Sequence, residues 1–246
     1  MSADLLQKLL RSLEYELPDA IRLRERLHAV AEPSHGEHAT ASLVAEALGT
    51  WGAERVLRTG LMTRVGPPGE AVAVRAELDA LPIEEETGVP FAATSGSMHA
   101  CGHDVHMAAL VALFRAAGRI EGSLPKPLLA FFQPSEEAYP SGADLAVKER
   151  TLAGRAGAIV AAHVHPEVPW GTLSVEAGPV NASSDNLRIT VEGSGGTVPI
   201  PTAPATPYSP SPTSSSRSSR SSAAAWTRCT PPPSASVGCG REPPRT

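Results

Sequence analysis

No stretch of the 246 residues approaches the roughly 18 to 20 consecutive apolar residues that a membrane-spanning helix needs. Met1–Arg11 lacks a basic start followed by an apolar run, so no secretory leader is read there. Cysteine is scarce: of three, Cys229 and Cys239 lie near the C-terminal end and only Cys101 lies before residue 197. A disulfide within residues 1–196 is therefore excluded, which fits a reducing, cytoplasmic setting. Also missing are a Gly-x-Ser-x-Gly elbow, a phosphate-binding loop and a Gly-rich dinucleotide fingerprint. No basic stripe runs through the first 196 residues, so the expected partners include neither nucleic acid nor membrane.

With 41% hydrophobic and 19% charged residues, the chain carries enough apolar material for a core. Its character changes at residue 197. Residues 1–196 carry a formal charge of −9, and residues 197–246 carry +4 with 11 of the 24 prolines. Pro, Ser, Thr and Arg dominate that tail with no period of two or 3.6. No apolar face can form to offset the entropy of ordering it, and the tail is expected to be disordered.

Upstream, helices and strands alternate. Leu5, Leu6, Leu9, Leu10 and Leu13 recur at helical spacing, and a second periodic run spans Ala39–Leu48 and stops at Gly49. Apolar runs at Ala71–Ala76, Leu128–Phe132 and Ala158–Val164 read as strands, separated by helical stretches around Met107–Ala117 and Ala143–Arg150. This order predicts an α/β fold with a mostly parallel sheet flanked by helices. Leu187, Ile189 and Val191 alternate with polar residues as a further strand that closes at Gly193–Gly196.

Four clusters carry candidate chemistry. Met98–His106 packs Cys101, three histidines and Asp104 into nine residues, and thiol with imidazole is a natural ligand pair for zinc-like ions. The i, i+2 spacing of Cys101 and His103 places both on a loop entering a helix that starts near Val105; read alone, the segment also fits a polar loop around a buried cysteine. Glu136 and Glu137 follow the strand ending at Phe132, and adjacent side chains on a turning backbone can divide into a ligand and a general base. Taken alone they equally fit a solvated surface pair, as Glu84–Glu86 fit a plain acidic loop. His163 and Asp79 each end a predicted strand, and His165, just before Pro166, falls in the turn as a weaker candidate. All four clusters meet at the carboxyl ends of strands, the edge where open α/β sheets assemble ligand sites.

Arg75–Pro82, Met98–His106, Phe132–Glu137 and the His163 segment, in that order, resemble the metal-dependent amidohydrolases typified by hippurate hydrolase, aminoacylase and indole-acetyl-amino-acid hydrolase, relatives of the zinc exopeptidases. The resemblance covers residues 1–196. It implies that Cys101, His103, Glu137 and His163 are ligands of a two-metal centre, zinc or manganese. It implies Glu136 as the general base for the attacking water and Asp79 as the acid that supports the site. The implied substrate is an N-acyl amino acid, and the implied assembly of the intact enzyme is a homodimer. A dipeptidase or carboxypeptidase of the same superfamily is the nearest alternative; Cys101, where those peptidases commonly have an acid, favours the amidohydrolases. A non-catalytic metal-binding or interaction protein with a Pro/Arg-rich tail is an alternative of another class.

By the same resemblance, residues 1–182 are the N-terminal part of the catalytic domain and residues 183–196 the first strand of a lid and dimerisation domain. The likeness stops at residue 196, where relatives continue with a motif like HGAYPH. Deleting the first base of CAC GGT GCC TAT CCC CAC, one coding of that motif, gives ACG GTG CCT ATC CCC AC. This reads TVPIP and opens a threonine codon, as in Thr197–Thr202. Residues 197–246 are accordingly expected to be an out-of-frame tail. The chain would then lack the lid, a substrate-contacting histidine and one of five metal ligands. It would be inactive as it stands, with an unfinished, aggregation-prone sheet.

Overall fold

The computed structural model describes residues 3–175, and the expected strand at 187–191, the 183–196 segment and the tail lie outside them. The elements in chain order are α1 (Ala3–Val30), α2 (His38–Leu48), β1 (Glu54–Val56), β2 (Gly60–Val65), β3 (Ala71–Glu77), α3 (His103–Arg119), β4 (Leu128–Gln133), α4 (Gly142–Lys148) and β5 (Ala156–Ala161). The sheet order is β1-β2-β4-β3-β5. Strands β4, β3 and β5 are parallel, whereas β1 with β2 and β2 with β4 pair antiparallel. The α/β, mostly parallel expectation thus holds for the three strands that carry the candidate site. The antiparallel pair at the other edge has no counterpart in the sequence reading, because β1 is three residues long and β2 is interrupted by Thr63 and Arg64.

Alternation along β4 splits the core in two. Ala130 and Phe132 face a cluster with Leu23, Leu27, Val44, Leu48, Met107, Val111 and Phe114 from α1, α2 and α3. Leu129 and Phe131 face the opposite cluster with Leu57, Met62, Ala71 and Ala73, against which Leu145 and Ala146 of α4 pack. No described helix is long and apolar enough to cross a membrane. Strand β5 differs from its neighbours. Among the described residues it pairs only with β3, and Ile159 and Val160 are about half exposed.

Candidate metal centre

The parallel strands bring the predicted residues to one edge. Asp79 lies two residues past β3, Glu136 and Glu137 three and four past β4, and His163 two past β5. Helix α3 begins at His103, two residues earlier than expected, so His103 stands on the first helical turn and not on a loop with Cys101. The cause is Gly102, which caps the helix in the left-handed region at φ 78° and turns the chain between the two residues.

Ligand atoms of Cys101, His103 and Glu137 all lie within 4.8 Å of one another, with His103 buried and the other two half-buried. His103 donates from Nδ1 to the Asp79 carbonyl at 2.8 Å, which leaves Nε2 as the ring atom with a lone pair to offer. Asp79 is fully buried. Its Oδ2 accepts from the Ser34 hydroxyl at 2.6 Å and from the Glu137 N–H at 2.9 Å, while Oδ1 has no hydrogen-bond partner among the described residues and lies 3.7 Å from His103 Nδ1. Thiol, imidazole and carboxylate converging beside a buried carboxylate form a donor set that fits a divalent metal. Glu136 is exposed and outside this trio; partial burial and then the charge of Glu137 raise its pKa.

His163 does not join the Cys101 trio. It forms a second group with His103 and His106, whose ligand atoms also lie within 4.8 Å, and its exposed ring bonds from Nδ1 to the Val164 carbonyl. The ring centroid of His163 is 6.1 Å from that of His103 and 4.7 Å from that of His106. His165 is exposed and accepts the Glu167 N–H in a local turn, outside both groups.

Several supporting residues were not singled out from the sequence. Glu77 Oε2 bonds His106 Nδ1 at 2.9 Å and Glu77 Oε1 pairs with Arg75 at 2.8 Å. Burial pushes the Glu77 pKa up, but the bond to His106 and the charge of Arg75 outweigh it and hold the carboxyl at about 2. Burial pushes the pKa of His99 down to about 4, which keeps that ring neutral at pH 7. Glu85 departs from the plain acidic loop expected at 84–86. Its side chain is buried and accepts from Thr87, from the Ala93 N–H and from buried His28, whose other nitrogen bonds Asp104. That network ties the loop before Cys101 to α1 and α3.

The turn carrying Glu136 and Glu137 is built from beneath. Ser135 sits at φ 50°, a region that only outside support makes tenable for serine. Fully buried Glu37 supplies it: Oε1 accepts from the Ser135 N–H at 2.7 Å and its hydroxyl at 3.0 Å, and Oε2 accepts from Thr59 at 2.8 Å. On the other side Gly142 admits the turn, since a Cβ there would lie 1.8 Å from the Pro134 carbonyl oxygen. Glu37→Ala leaves the buried Ser135 N–H and Thr59 hydroxyl without partners, each worth about 1–3 kcal/mol. The expected destabilisation is about 3 kcal/mol, read from urea unfolding; a loss under about 0.5 kcal/mol contradicts the role given to Glu37.

The chain is similar to known proteins. Residues 73–234 match the model of peptidase family M20/M25/M40. The N-acetyl-L-cysteine deacetylase of Bacillus subtilis is 35% identical over 198 residues, 78% of this chain and 46% of that enzyme. Thermostable carboxypeptidase 2 of Saccharolobus solfataricus is 34% identical over 201 residues, 78% of this chain and 51% of that protein. A Bacillus subtilis crystal structure, described as a dinuclear metal-binding peptidase from the M20 family, superposes with TM-score 0.62 at 32% identity, over 68% of this chain and 48% of that one. The chain thus spans about half the length of these relatives. With the family model covering more than half of its residues, the chain belongs to peptidase family M20/M25/M40.

Proposed function

We propose that this chain is the N-terminal catalytic half of a metal-dependent amidohydrolase that cleaves N-acyl amino acids to a carboxylate and a free amino acid. One observation carries the reading: thiol, imidazole and carboxylate of Cys101, His103 and Glu137 converge within 4.8 Å, with Glu136 next in sequence. Cys101, His103, Glu137 and His163 are the residues that would hold two divalent ions, zinc or manganese. When bound, such ions supply Lewis-acid polarisation of a carbonyl and lower the pKa of water towards neutrality. Glu136, exposed and with a raised pKa, takes the proton of the attacking water and returns it to the leaving nitrogen. Asp79 holds the Nδ1 proton of His103 through its carbonyl and the backbone of Glu137 through its carboxylate, which fixes both candidate ligands.

The codon match at Thr197–Thr202 supports a single-base change of frame there, and with it a chain that lacks the lid and is inactive as it stands; the scarcity of cysteine supports a cytoplasmic enzyme, and the family resemblance a homodimer formed through that lid. The family match runs on to residue 234, past that point, so the encoding DNA decides the matter. An intact frame with no lid sequence in the adjacent frame downstream disproves the change. The function itself is tested by metal analysis and a panel of N-acyl amino acids and dipeptides, applied to this chain and to a frame-restored one. Metal in the restored protein with turnover of the acyl amino acids is the expected result. Turnover of the peptides alone moves the assignment to a dipeptidase or carboxypeptidase, and absence of both metal and turnover ends the enzyme reading.

A further inference from the structure

One helical turn after His103, α3 presents a second buried imidazole, His106. Both of its ring nitrogens are committed. Nδ1 lies 2.9 Å from Glu77 Oε2, and Nε2 accepts the backbone N–H of Val164 at 3.0 Å. A nitrogen that accepts from an N–H carries no proton, so these partners select the neutral tautomer protonated at Nδ1. Arg75 steadies Glu77 at 2.8 Å and donates from Nε to Gln133 at 2.7 Å. The chain of bonds therefore starts on β4, passes through β3 and α3, and ends on the segment that leaves β5.

Val164 is gripped a second time. Its side chain lies over Gly102, where a Cβ would come within 2.4 Å of Val164 Cγ2. Gly102 and His106 flank His103, so one residue of the β5 exit is held at its side chain and at its amide by the segment that carries Cys101 and His103. The exit has little other support: the ladder with β3 ends at Ala161, and Val164 is partly exposed. The residue fixed directly beside this grip is His163.

We propose that His106 is a positioning residue, which holds the Val164 amide with its Nε2 and thereby presents His163 to the metal centre formed with Cys101, His103 and Glu137. The inference rests on the metal-centre reading above and adds to it a histidine that is not a ligand. Although a ring nitrogen of His106 lies within 4.8 Å of ligand atoms of His103 and His163, a ligand role for Nε2 would require it to give up the Val164 bond.

The test titrates the full chain with Co²⁺ alone and follows the thiolate-to-cobalt and d–d absorption, with circular dichroism to verify folding. A Gln amide oxygen reaches about as far as a His Nε2, and an Asn amide nitrogen about as far as a His Nδ1. His106→Gln thus keeps the acceptor for Val164, while His106→Asn keeps only the donor to Glu77. Loss of a group that orients a ligand weakens metal binding by about 10- to 100-fold, and this is expected for His106→Asn, with His106→Gln within about threefold of the parent. Val164→Pro removes the donor together with the side chain that lies over Gly102, and is expected to lose at least as much affinity as His106→Asn. Because His106 acts through His163, adding His106→Asn to His163→Ala produces no further loss. Parental affinity in both His106→Asn and Val164→Pro overturns the proposal, as does additivity in the double variant. His106→Gln binding as weakly as His106→Asn also overturns it, since the imidazole would then be needed as a ligand. The control His103→Ala separates the two levels: if it too leaves Co²⁺ affinity unchanged, the metal-centre reading fails and takes the proposal with it.

Discussion

In the frame-restored protein, Glu136→Gln lowers kcat for N-acyl amino acid hydrolysis by roughly two to four orders of magnitude, with metal content unchanged. The amide keeps the shape of the side chain and removes its capacity to accept a proton. Glu136 is outside the Cys101 trio, so its loss leaves the candidate ligands in place. Burial and the charge of Glu137 raise its pKa, and a general base works only when ionised. Activity of the parent therefore rises with pH through that raised pKa, and the acid limb of kcat/KM disappears in the residual activity of the variant. A pH–rate profile of both proteins checks the pair of statements. Less than a tenfold fall in kcat moves the base to another residue.

Cys101→Ser produces the second large effect. Serine retains the size of the side chain, but its hydroxyl does not ionise near neutrality and is a harder donor than a thiolate. The expected fall in Co²⁺ affinity of the full chain is at least about a hundredfold, given that loss of mere supporting groups costs 10- to 100-fold. The thiolate-to-cobalt absorption disappears with it. Cys101 is only half-buried, so the apo protein should melt within a few degrees of the parent. Retention of both affinity and the charge-transfer band shows that the thiol is not among the donors.

The parts legible in the sequence share a physical cause. Strands inside a parallel sheet read as short apolar runs, and β3 and β4 are such runs; the exposed edge strand β5 is apolar as well, expected at Ala158–Val164 and found at Ala156–Ala161. A parallel sheet also places strand ends together, which is why Asp79, Glu136, Glu137 and His163 could be grouped before any coordinates. Strand β1 left no apolar signature because Glu54 and Arg55 are exposed. The start of α3 was misread because Gly102 looked like part of a loop, whereas its left-handed conformation lets the helix begin at the next residue. The roles of Glu37, Glu77, Glu85 and His106 escaped the sequence for another reason, although His106 stood inside the Met98–His106 cluster and Glu85 inside the run read as a plain acidic loop. A buried charged side chain is identified by its partners, and Ser135, Arg75, His28 and the Val164 amide lie far away in sequence. Asp79 and His103 are buried too, and they could be assigned a chemistry because residue type and position at a strand end or beside Cys101 carried the signal without their partners.

Among the described residues, strand β5 has one neighbour and little cover on either face, so opening it sacrifices less buried surface than opening a strand between two others. His163 hangs from that strand. An ion that gains a bond to His163 binds the closed arrangement better than the open one, and by linkage it must tighten β5 to the same extent. With His163 as a ligand, amide hydrogen exchange along Ala156–Val164 is expected to report site occupancy: slow when the centre is filled, fast when it is stripped, with β4 in the sheet interior scarcely changing.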